Sequence, residues 1–418
     1  MSELLRVAAL IDLPRSAQSG GHVKCWERLA AAAAEGVLPL DLTVYFSGER
    51  REESLGPHAR IRQLPPVFST AELKFLPYVP DHTDLAPYHP ALARELAQHD
   101  VIHTTDGFFA FARTAERVSR RHGIPLVTSF HTDTPSYTRI FTRQTIERLL
   151  GDGALGRWLI DVYRWPERQE RKMQARLVAH VGACRAALVT RAEDHALAES
   201  VLGAAGVRHL RLGVDRAMFG PHRRDREGVE RDYGVPPQRL VALFVGRLDV
   251  GKNIYTLIEA MERLIGEGLP LHLIAAGIGP AAADLRQRLG DHVSVPGFVQ
   301  PDELARLYAS VDVLALASEV EIRSMAGVEA LTSGCPVLVS EKSGVAELFD
   351  HTPAMRTVAS GADNWTAALR DFAADAARRD HMRTVAAAYG RERLANWQEV
   401  LKEDLFAVWA RAARDRVA

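Results

Sequence analysis

The sequence predicts an α/β protein made of two doubly wound, Rossmann-like domains whose parallel sheets face each other across a cleft. With 418 residues, the chain exceeds the usual ~100–200 residues of a single domain. Short apolar runs alternate with helical patterns throughout, which is typical of parallel sheets covered by helices. The alternation breaks off after residue 212 and restarts at residue 240, so we predict two such domains in succession.

The first series begins with the apolar run 5–11, which is followed by a Gly-Gly turn and a helix that ends near residue 34. Further strands are predicted at 40–46, 101–103, 125–130, 188–190 and 209–212, with a helix at 108–122. We therefore assign residues 1–215 to an N-terminal domain.

The second series repeats the same order of elements. Strands are predicted at 240–245, 271–276, 293–295, 311–316 and 336–339, and helices at 254–266, 281–289, 301–309 and 326–333. We assign residues 216–395 to this C-terminal domain. The charged segment 219–237, with three prolines, is the predicted hinge, and the alternative is a long surface loop within one larger domain.

Composition narrows the class of protein. An apolar fraction of 47% and a charged fraction of 25% are those of a globular chain. The net charge of −1 argues against nucleic acid as a partner. Cys25, Cys184 and Cys335 are far apart and read as reduced thiols. We find neither a signal peptide nor a membrane span, so a cytoplasmic protein is expected, with attachment to the inner face of a membrane left open.

Two loops at predicted strand ends carry residues suited to phosphate. Gly20 and Gly21 precede the first helix, where the backbone N–H groups attract anions, although a tight turn without a ligand is the alternative. Arg247 and Lys252 follow the first strand of the second series. A planar guanidinium and an ammonium at one sheet edge form a clamp for a diphosphate, and the alternative is a pair of solvated cations.

Two carboxylates eight residues apart form the third candidate group. Glu321 lies in the loop after a strand, where it can accept hydrogen bonds from sugar hydroxyls. Glu329 lies in the following helix, and its two oxygens suit the two adjacent hydroxyls of a ribose. An isolated glutamate pair is usually surface decoration, but the cationic clamp upstream makes chance a poor explanation.

These motifs resemble those of the retaining GT-B glycosyltransferases of the large family 4. The resemblance rests on FVGRLDVGKN, AAGIGP, VSVPGFVQPDELARLYASVDVLALAS and the two spaced glutamates, and it extends to SGGHVKCWERLA, HDVIHTTDGF, HGIPLVTSFHTD and LRLGVDRAMFGP. It implies that the N-terminal domain is the acceptor side and the C-terminal domain holds the nucleotide sugar. It also implies that residues 396–418 form a helix that crosses back onto the N-terminal domain.

The resemblance assigns roles to single residues. Arg247 and Lys252 would grip the donor diphosphate, Glu329 the ribose and Glu321 the transferred sugar. His131 matches a histidine near the sugar, and the alternative is a core or capping histidine. These four catalytic candidates are His131, Arg247, Lys252 and Glu321. The other predicted donor-binding residues are Gly20, Gly21, Gly246, Gly277, Gly279, Phe298, Val299, Ile322, Arg323, Ser324, Met325 and Glu329.

One loop departs from the family pattern. Where Glu-Gly-Phe-Gly is common, this chain has Glu321-Ile322-Arg323-Ser324, which puts the glycine-dependent backbone grip on the sugar in doubt. The sequence is closer in this respect to diacylglycerol glucosyltransferases, which also carry His-Thr followed by Tyr-Thr, as at His131 and Tyr137. Alternatively, Arg323 faces a donor sugar that carries a carboxylate or sulfonate.

Segment 136–191 is basic in an otherwise balanced chain. It holds eleven Arg and Lys against five Asp and Glu, interleaved with aromatic and aliphatic residues. This pattern predicts contact with an anionic membrane surface, and a solvated helical face packed on its own domain is the alternative. The predicted acceptor or membrane residues are Tyr137, Arg139, Arg143 and Trp158.

The sequence therefore predicts a retaining glycosyltransferase that uses a nucleotide diphosphate sugar, UDP- before GDP-linked, and a membrane lipid as acceptor. A saccharide acceptor, a nucleotide-sugar epimerase and a noncatalytic sugar-binding module are the alternatives. No cofactor is expected, because the nucleotide sugar is a substrate. No Asp-x-Asp pattern occurs, so no metal is expected to be required.

Overall fold

Two β-sheets of mainly parallel strands organise the protein. The computed structural model describes residues 4–73, 82–151, 153–349 and 352–415. The chain divides into two compact units, Met1–Arg211 with Trp397–Ala418, and Leu212–Asn396. Each unit contains one of the sheets. The α/β class with two doubly wound sheets is confirmed.

The first unit has an eight-stranded sheet. Its strands are β1 (Leu5–Pro14), β2 (Leu40–Ser47), β3 (Arg51–Gly56), β4 (Ala59–Leu64), β5 (Val101–Thr104), β6 (Leu126–Ser129), β7 (Ala186–Val189) and β8 (Val207–His209). Their order is β3-β4-β2-β1-β5-β6-β7-β8, and only β3 and β4 pair antiparallel. Its helices are α1 (Gly21–Ala34), α2 (Pro90–Leu96), α3 (Ala110–His122), α4 (Thr134–Leu150), α5 (Ala154–Arg157), α6 (Trp165–Gly182) and α7 (Ala192–Leu202).

The second unit has a six-stranded, fully parallel sheet. Its strands are β9 (Leu240–Val245), β10 (Leu271–Ala276), β11 (Val293–Gly297), β12 (Val313–Leu316), β13 (Val337–Ser340) and β14 (Met355–Val358), in the order β11-β10-β9-β12-β13-β14. Its helices are α8 (Arg226–Tyr233), α9 (Ile254–Gly266), α10 (Ala282–Leu289), α11 (Pro301–Ser310), α12 (Met325–Thr332), α13 (Gly344–Leu348), α14 (Ala362–Ala374) and α15 (Ala376–Glu392).

Burial on both faces explains why these apolar segments form strands. In β9 and β10, nearly every residue is buried, because helices cover the sheet on both sides. Val241 and Leu243 contribute to one core layer, while Ala242 and Phe244 contribute to the other. The predicted strands are therefore continuous apolar runs because both of their faces are buried. A strand buried on one face only would alternate apolar and polar residues.

Both sheets have a point where the strand order reverses. In the first sheet β1 lies between β2 and β5, and in the second β9 lies between β10 and β12. Loops at the carboxyl ends of strands next to such a reversal border a crevice in which open α/β sheets bind ligands. The loops after β1 and β9, both singled out from the sequence, occupy these positions.

The segment 219–237 does not act as a separate hinge. It contains α8, and Phe219, Val229 and Val235 are buried in the core of the second unit. The chain instead passes between the units at Arg211–Leu212 and again at Asn396–Trp397. Its many charged residues misled the sequence reading, because they lie on the exposed side of a short amphipathic helix.

The C-terminal segment is helical and packs on the first unit. It comprises α16 (Trp397–Glu399), a π-helical stretch Val400–Phe406 and α17 (Ala407–Arg414). Gln398 donates to the carbonyl of Ala32 in α1 at 2.7 Å, and Arg211 pairs with Asp404 at 2.7 Å. None of the helices within the described ranges combines the length and apolar character needed to span a bilayer.

Candidate functional site

The loop after β9 is organised by a buried carboxylate, Asp249. One of its oxygens accepts a hydrogen bond from the backbone N–H of Lys252 at 3.0 Å, and the other pairs with Nε of Arg247 at 3.0 Å. Asp249 is almost fully buried, whereas the Arg247 side chain is partly exposed. A single carboxylate thus fixes the direction of one cation and the backbone that carries the other. The sequence reading did not single out Asp249.

Lys252 forms an ion pair with Glu321. The distance from Nζ to Oε1 is 3.0 Å, and both side chains are largely buried. The pair joins the loop after β9 to the loop after β12, and β9 and β12 are neighbouring strands. Ser318 supports this junction by donating to the carbonyl of Gly251 at 3.1 Å, and Asn253 by donating to that of Ala317 at 3.1 Å. The fold therefore brings together two residues that lie 69 positions apart.

The buried hydroxyl of Tyr308 relates Glu329 to the same region. Burial raises the pKa of the Tyr308 phenol well above its usual value, and the charge of the neighbouring Glu329 carboxylate raises it further. Glu321 contributes to the same rise in the Tyr308 pKa. Both predicted carboxylates thus lie within electrostatic reach of one buried hydroxyl. Nothing in the sequence pointed to Tyr308, which occupies an ordinary apolar position of α11.

The glycines of the second unit have a packing reason. A Cβ on Gly277 would lie 1.7 Å from the carbonyl oxygen of Gly246, and one on Gly279 would lie 2.3 Å from that of Leu248. The backbone N–H of Leu248 also donates a hydrogen bond to the carbonyl of Ile278 at 3.0 Å. The loops after β9 and β10 therefore touch backbone to backbone, which only glycine permits here.

The loop between the two carboxylates is held from inside the unit. Ser324 caps α12 by accepting from the backbone N–H of Gly327 at 3.3 Å, and Ile322 is buried. Met325 packs against the core, and Arg323 is half-buried. The carbonyl of Glu321 accepts from the backbone N–H of Gly344 at 2.9 Å. Ligand contacts by Ile322 and Ser324 would therefore come mainly from their backbone.

Phe298 and Val299 immediately follow β11, at the carboxyl edge of the second sheet. Both are half-buried, and Val299 packs against the core of its unit. β11 is the strand next to β10, so this pair lies on the same side of the β9 loop as Gly277 and Gly279. The predicted part of Phe298 and Val299 in donor binding stays a prediction.

In the first unit, the predicted residues follow β1 and β6. Gly20 and Gly21 stand at the start of α1, and a Cβ on Gly20 would meet nothing within 4 Å. The fold itself does not demand glycine at that position. His131 follows β6 and stacks on His22 of α1, with ring centroids 4.3 Å apart and the planes 4° from parallel. The structure therefore brings the glycine loop and His131 together through α1.

His131 also belongs to a buried chain of hydrogen bonds. Its Nε2 lies 2.8 Å from Oγ of Ser129, which lies 2.7 Å from Nε2 of His103. Nε1 of Trp409 donates to Nδ1 of His103 at 2.9 Å. Neither Ser129 nor Trp409 was identified from the sequence. Trp409 lies 306 positions from His103, so no local pattern connects the two.

The predicted acceptor residues divide into two groups. Tyr137, Arg139 and Arg143 lie on α4, where Arg139 pairs with Glu170 of α6 at 3.6 Å and Arg143 pairs with Glu147 at 3.9 Å. Both arginines are thus paired within the first unit, and the predicted contact of this helix with a membrane stays a prediction. Trp158 differs, because its side chain is 48% exposed and it stacks on Tyr163.

No group of three or more His, Cys, Asp or Glu side chains placed to hold a metal ion occurs among the described residues. Within those ranges, Cys25, Cys184 and Cys335 are buried free thiols.

Two doubly wound, mainly parallel sheets covered by helices are the architecture of the GT-B fold. The comparisons confirm that resemblance. Residues 225–391, which lie within the second unit, match the family described as glycosyl transferases group 1. The match covers most of the second unit and less than half of the chain.

Curated relatives of known name match this chain over part of their length. The chain is 28% identical over 270 residues to the sulfoquinovosyl transferase SQD2 of Arabidopsis thaliana, covering 62% of this chain and 46% of that protein. It is 29% identical over 219 residues to a GDP-mannose-dependent alpha-(1-6)-phosphatidylinositol dimannoside mannosyltransferase of Mycobacterium tuberculosis, covering 51% and 55%. The aligned regions thus span about half of these relatives.

Solved structures match over the whole chain. Sucrose-phosphate synthase from Thermosynechococcus elongatus superposes with a TM-score of 0.73 at 17% identity, covering 98% of this chain and 100% of that one. HepE of Anabaena, solved with UDP and glucose, superposes with a TM-score of 0.64 at 15% identity, covering 99% and 100%. At these identities the likeness establishes the fold.

Proposed function

We propose that this protein is a retaining glycosyltransferase that moves a sugar from a nucleotide diphosphate sugar, UDP- in preference to GDP-linked, to an acceptor hydroxyl. The observation that carries the proposal is the ion pair of Lys252 and Glu321 at the reversal point of the second sheet. It stands beside Arg247, and Tyr308 connects it electrostatically to Glu329. The match of this unit to glycosyl transferases group 1 supports the same conclusion.

Each group has a chemical role in this proposal. Arg247 and Lys252 bind the diphosphate and stabilise the negative charge that develops as the nucleotide departs. Glu329 accepts hydrogen bonds from the ribose hydroxyls, and Glu321 from the transferred sugar. The acceptor hydroxyl then attacks from the face that the nucleotide leaves, which retains the configuration of the sugar.

The relatives support a nucleotide sugar as donor. HepE was solved with UDP and glucose, and the mycobacterial relative is named as dependent on GDP-mannose. SQD2 is named as a sulfoquinovosyl transferase, and sulfoquinovose carries a sulfonate. Arg323, half-buried two residues after Glu321, offers a guanidinium that suits such an anionic substituent. A donor sugar with a sulfonate or carboxylate is therefore the second candidate.

Turnover with a panel of donors tests the proposal. We expect UDP-sugars to raise the unfolding temperature more than GDP-sugars at equal concentration, because a ligand that binds the native state more tightly stabilises it more. Nucleotide release should then increase when an acceptor is added. Neutral and anionic sugars on the same nucleotide separate the two donor candidates. Conversion to an epimeric sugar would instead favour an epimerase, and binding without any turnover would favour a sugar-binding module.

For the acceptor, we propose a lipid at an anionic membrane surface. The apolar tip, defined here as Leu149, Leu150, Leu155, Trp158, Val162 and Trp165, contains six of the twelve large apolar side chains that are exposed in the described ranges. Exposed cations lie in the same stretch of the sequence, namely Arg148, Arg157, Arg164, Arg168, Arg171 and Lys172. Exposed aromatic side chains interspersed with cations along a segment suit the interface of a membrane with anionic lipids.

The aromatic part of the tip is ordered by stacking. Tyr163 lies between Trp158 and Trp165, with ring centroids 5.4 and 5.5 Å apart, and Arg168 sits 4.4 Å above the Tyr163 ring. Because these rings are already held in place, little side-chain entropy would be lost when they enter an interface. A polysaccharide acceptor remains the alternative to a lipid.

Removing the two tryptophans of the tip tests membrane binding. We expect the double variant Trp158→Ala, Trp165→Ala to partition onto vesicles with anionic lipid at least tenfold more weakly, since each tryptophan places on the order of 100 Å² of apolar surface at ~25 cal/mol/Å². Sedimentation with vesicles measures the partition. Phe68→Ala, an exposed aromatic outside the tip, is the matched control. Equal partition of the double variant and wild type would contradict the proposal.

A further inference from the structure

A buried chain of hydrogen bonds runs from the C-terminal helix to His131. It passes from Trp409 of α17 to His103 of β5, then to Ser129 of β6 and finally to His131, over donor–acceptor distances of 2.9, 2.7 and 2.8 Å. Trp409, His103 and Ser129 are fully buried, and His131 is 9% exposed. All four belong to the first unit.

Trp409 fixes the direction of this chain. An indole N–H can only donate, so Nδ1 of His103 must accept. Burial lowers the pKa of His103 to about 3, so this ring is neutral at physiological pH and carries its hydrogen on Nε2. Nε2 of His103 then donates to Ser129, whose single hydroxyl hydrogen is left to donate to Nε2 of His131.

We propose that Trp409, His103 and Ser129 are positioning residues that hold neutral His131 in the tautomer with its hydrogen on Nδ1. The only lone pair on a ring nitrogen of neutral His131 is at Nε2, which the Ser129 hydroxyl engages. His131 therefore acts on a substrate as a hydrogen-bond donor through Nδ1 and not as a general base. That last step rests on the proposed function, whereas the tautomer does not.

Neighbouring rings fix the plane of His131 as the chain fixes its tautomer. His22 stacks in parallel on it at 4.3 Å, and Trp26 lies at 6.1 Å with its plane tilted by 53°. Trp26 also packs edge to face on His103 at 5.0 Å. With plane and tautomer both set before a substrate arrives, the N–H at Nδ1 is preorganised, which is what a stabilising donor requires.

Nitrogen-15 NMR of the histidine rings in the whole protein, without ligand, tests the tautomer directly. The His131 signals are assigned by their loss in His131→Asn. We expect a protonated Nδ1 and an unprotonated Nε2 in wild type. Ser129→Ala removes the hydroxyl that engages Nε2, and the ring should shift toward the Nε2–H form that neutral histidine favours in water. Ser129→Thr keeps the hydroxyl and should keep the wild-type pattern.

Trp409→Phe provides a second variant at the far end of the chain, in case Ser129→Ala does not fold. It removes the only fixed donor, so the His131 signals should again become a mixture of tautomers. An Nε2–H ring in wild type would overturn the proposal. So would an Nδ1–H ring that persists unchanged in both Ser129→Ala and Trp409→Phe.

Kinetics then tests what the tautomer does. With Ser129→Ala we expect kcat to fall about three- to tenfold, the loss of one neutral hydrogen bond, while KM for the donor changes less than about twofold. Ser129→Thr should recover most of the wild-type kcat. A wild-type kcat in Ser129→Ala would overturn the role of the tautomer in catalysis. If the NMR result is as expected but wild type transfers no sugar, the positioning chain stands and the proposed function fails.

Discussion

Replacing Lys252 with alanine is expected to lower the rate of sugar transfer by roughly 100- to 1,000-fold. The ammonium would meet the charge that develops on the departing diphosphate, and removing one such preorganised donor typically costs this much. Steady-state release of nucleotide measures the effect. The affinity for UDP should also fall, which titration calorimetry measures separately from the chemistry.

The ion pair itself provides the sharpest comparison. Both Lys252→Ala and Glu321→Gln break the pair, so both should lower the free energy of unfolding by a similar amount, about 1–2 kcal/mol. Their affinities for UDP should change differently, because Lys252→Ala removes a group that binds the diphosphate. Glu321→Gln removes a carboxylate that competes with phosphate for the ammonium, so UDP should bind at least as tightly as in wild type. Transfer should still fall, because the sugar loses its acceptor group.

Lys342→Ala is the matched control for Lys252. Lys342 pairs at 3.5 Å with Glu319, which lies in the same loop as Glu321, but the Lys342 side chain is 57% exposed. An exposed pair of this kind contributes little to stability, so neither unfolding nor UDP binding should change appreciably. If Lys252→Ala retained UDP affinity and transfer within about threefold of wild type, the assignment of the diphosphate site would be wrong.

The sequence predicted the inner strands of the sheets well, because they are buried on both faces. Apolar runs such as 240–245 and 271–276 match β9 and β10 to the residue. The hairpin of β3 and β4 was missed, since its residues are largely polar and β3 lies at the open edge of the first sheet. Helix α8 was missed for a related reason, because its charges hid the few residues that it buries.

The candidate site was predictable where motif and strand end coincide. Arg247, Lys252 and Glu321 could be named because each follows a recognisable strand of the second unit. Asp249 and Tyr308 could not, since one acts by capping its own loop and the other by its proximity to α12. His103, Ser129 and Trp409 depend on contacts between β5, β6 and α17, and no pattern along the chain records such contacts.

Replacing Glu329 with glutamine is expected to abolish discrimination between ribose and deoxyribose. Two carboxylate oxygens suit the two ribose hydroxyls, and a glutamine side chain retains only one acceptor oxygen. We expect wild type to bind UDP about 10- to 100-fold more tightly than 2′-deoxy-UDP, the usual worth of a hydrogen bond to a charged group. In Glu329→Gln the two ligands should differ less than about threefold, with UDP binding weakened to the level of the deoxy compound.

Two further variants separate the ribose contact from a general effect of charge. Glu319→Gln removes a carboxylate of the loop before α12, one that pairs with an exposed lysine, and should leave the discrimination intact. Tyr308→Phe removes the buried hydroxyl beside Glu329 and should weaken discrimination only in part, because the carboxylate remains. Calorimetric titration of both nucleotides into all four proteins gives the ratios. Since the comparison is made within each protein, a loss of stability common to both ligands cancels. Undiminished discrimination in Glu329→Gln would therefore remove Glu329 from the nucleotide site, whatever its effect on transfer.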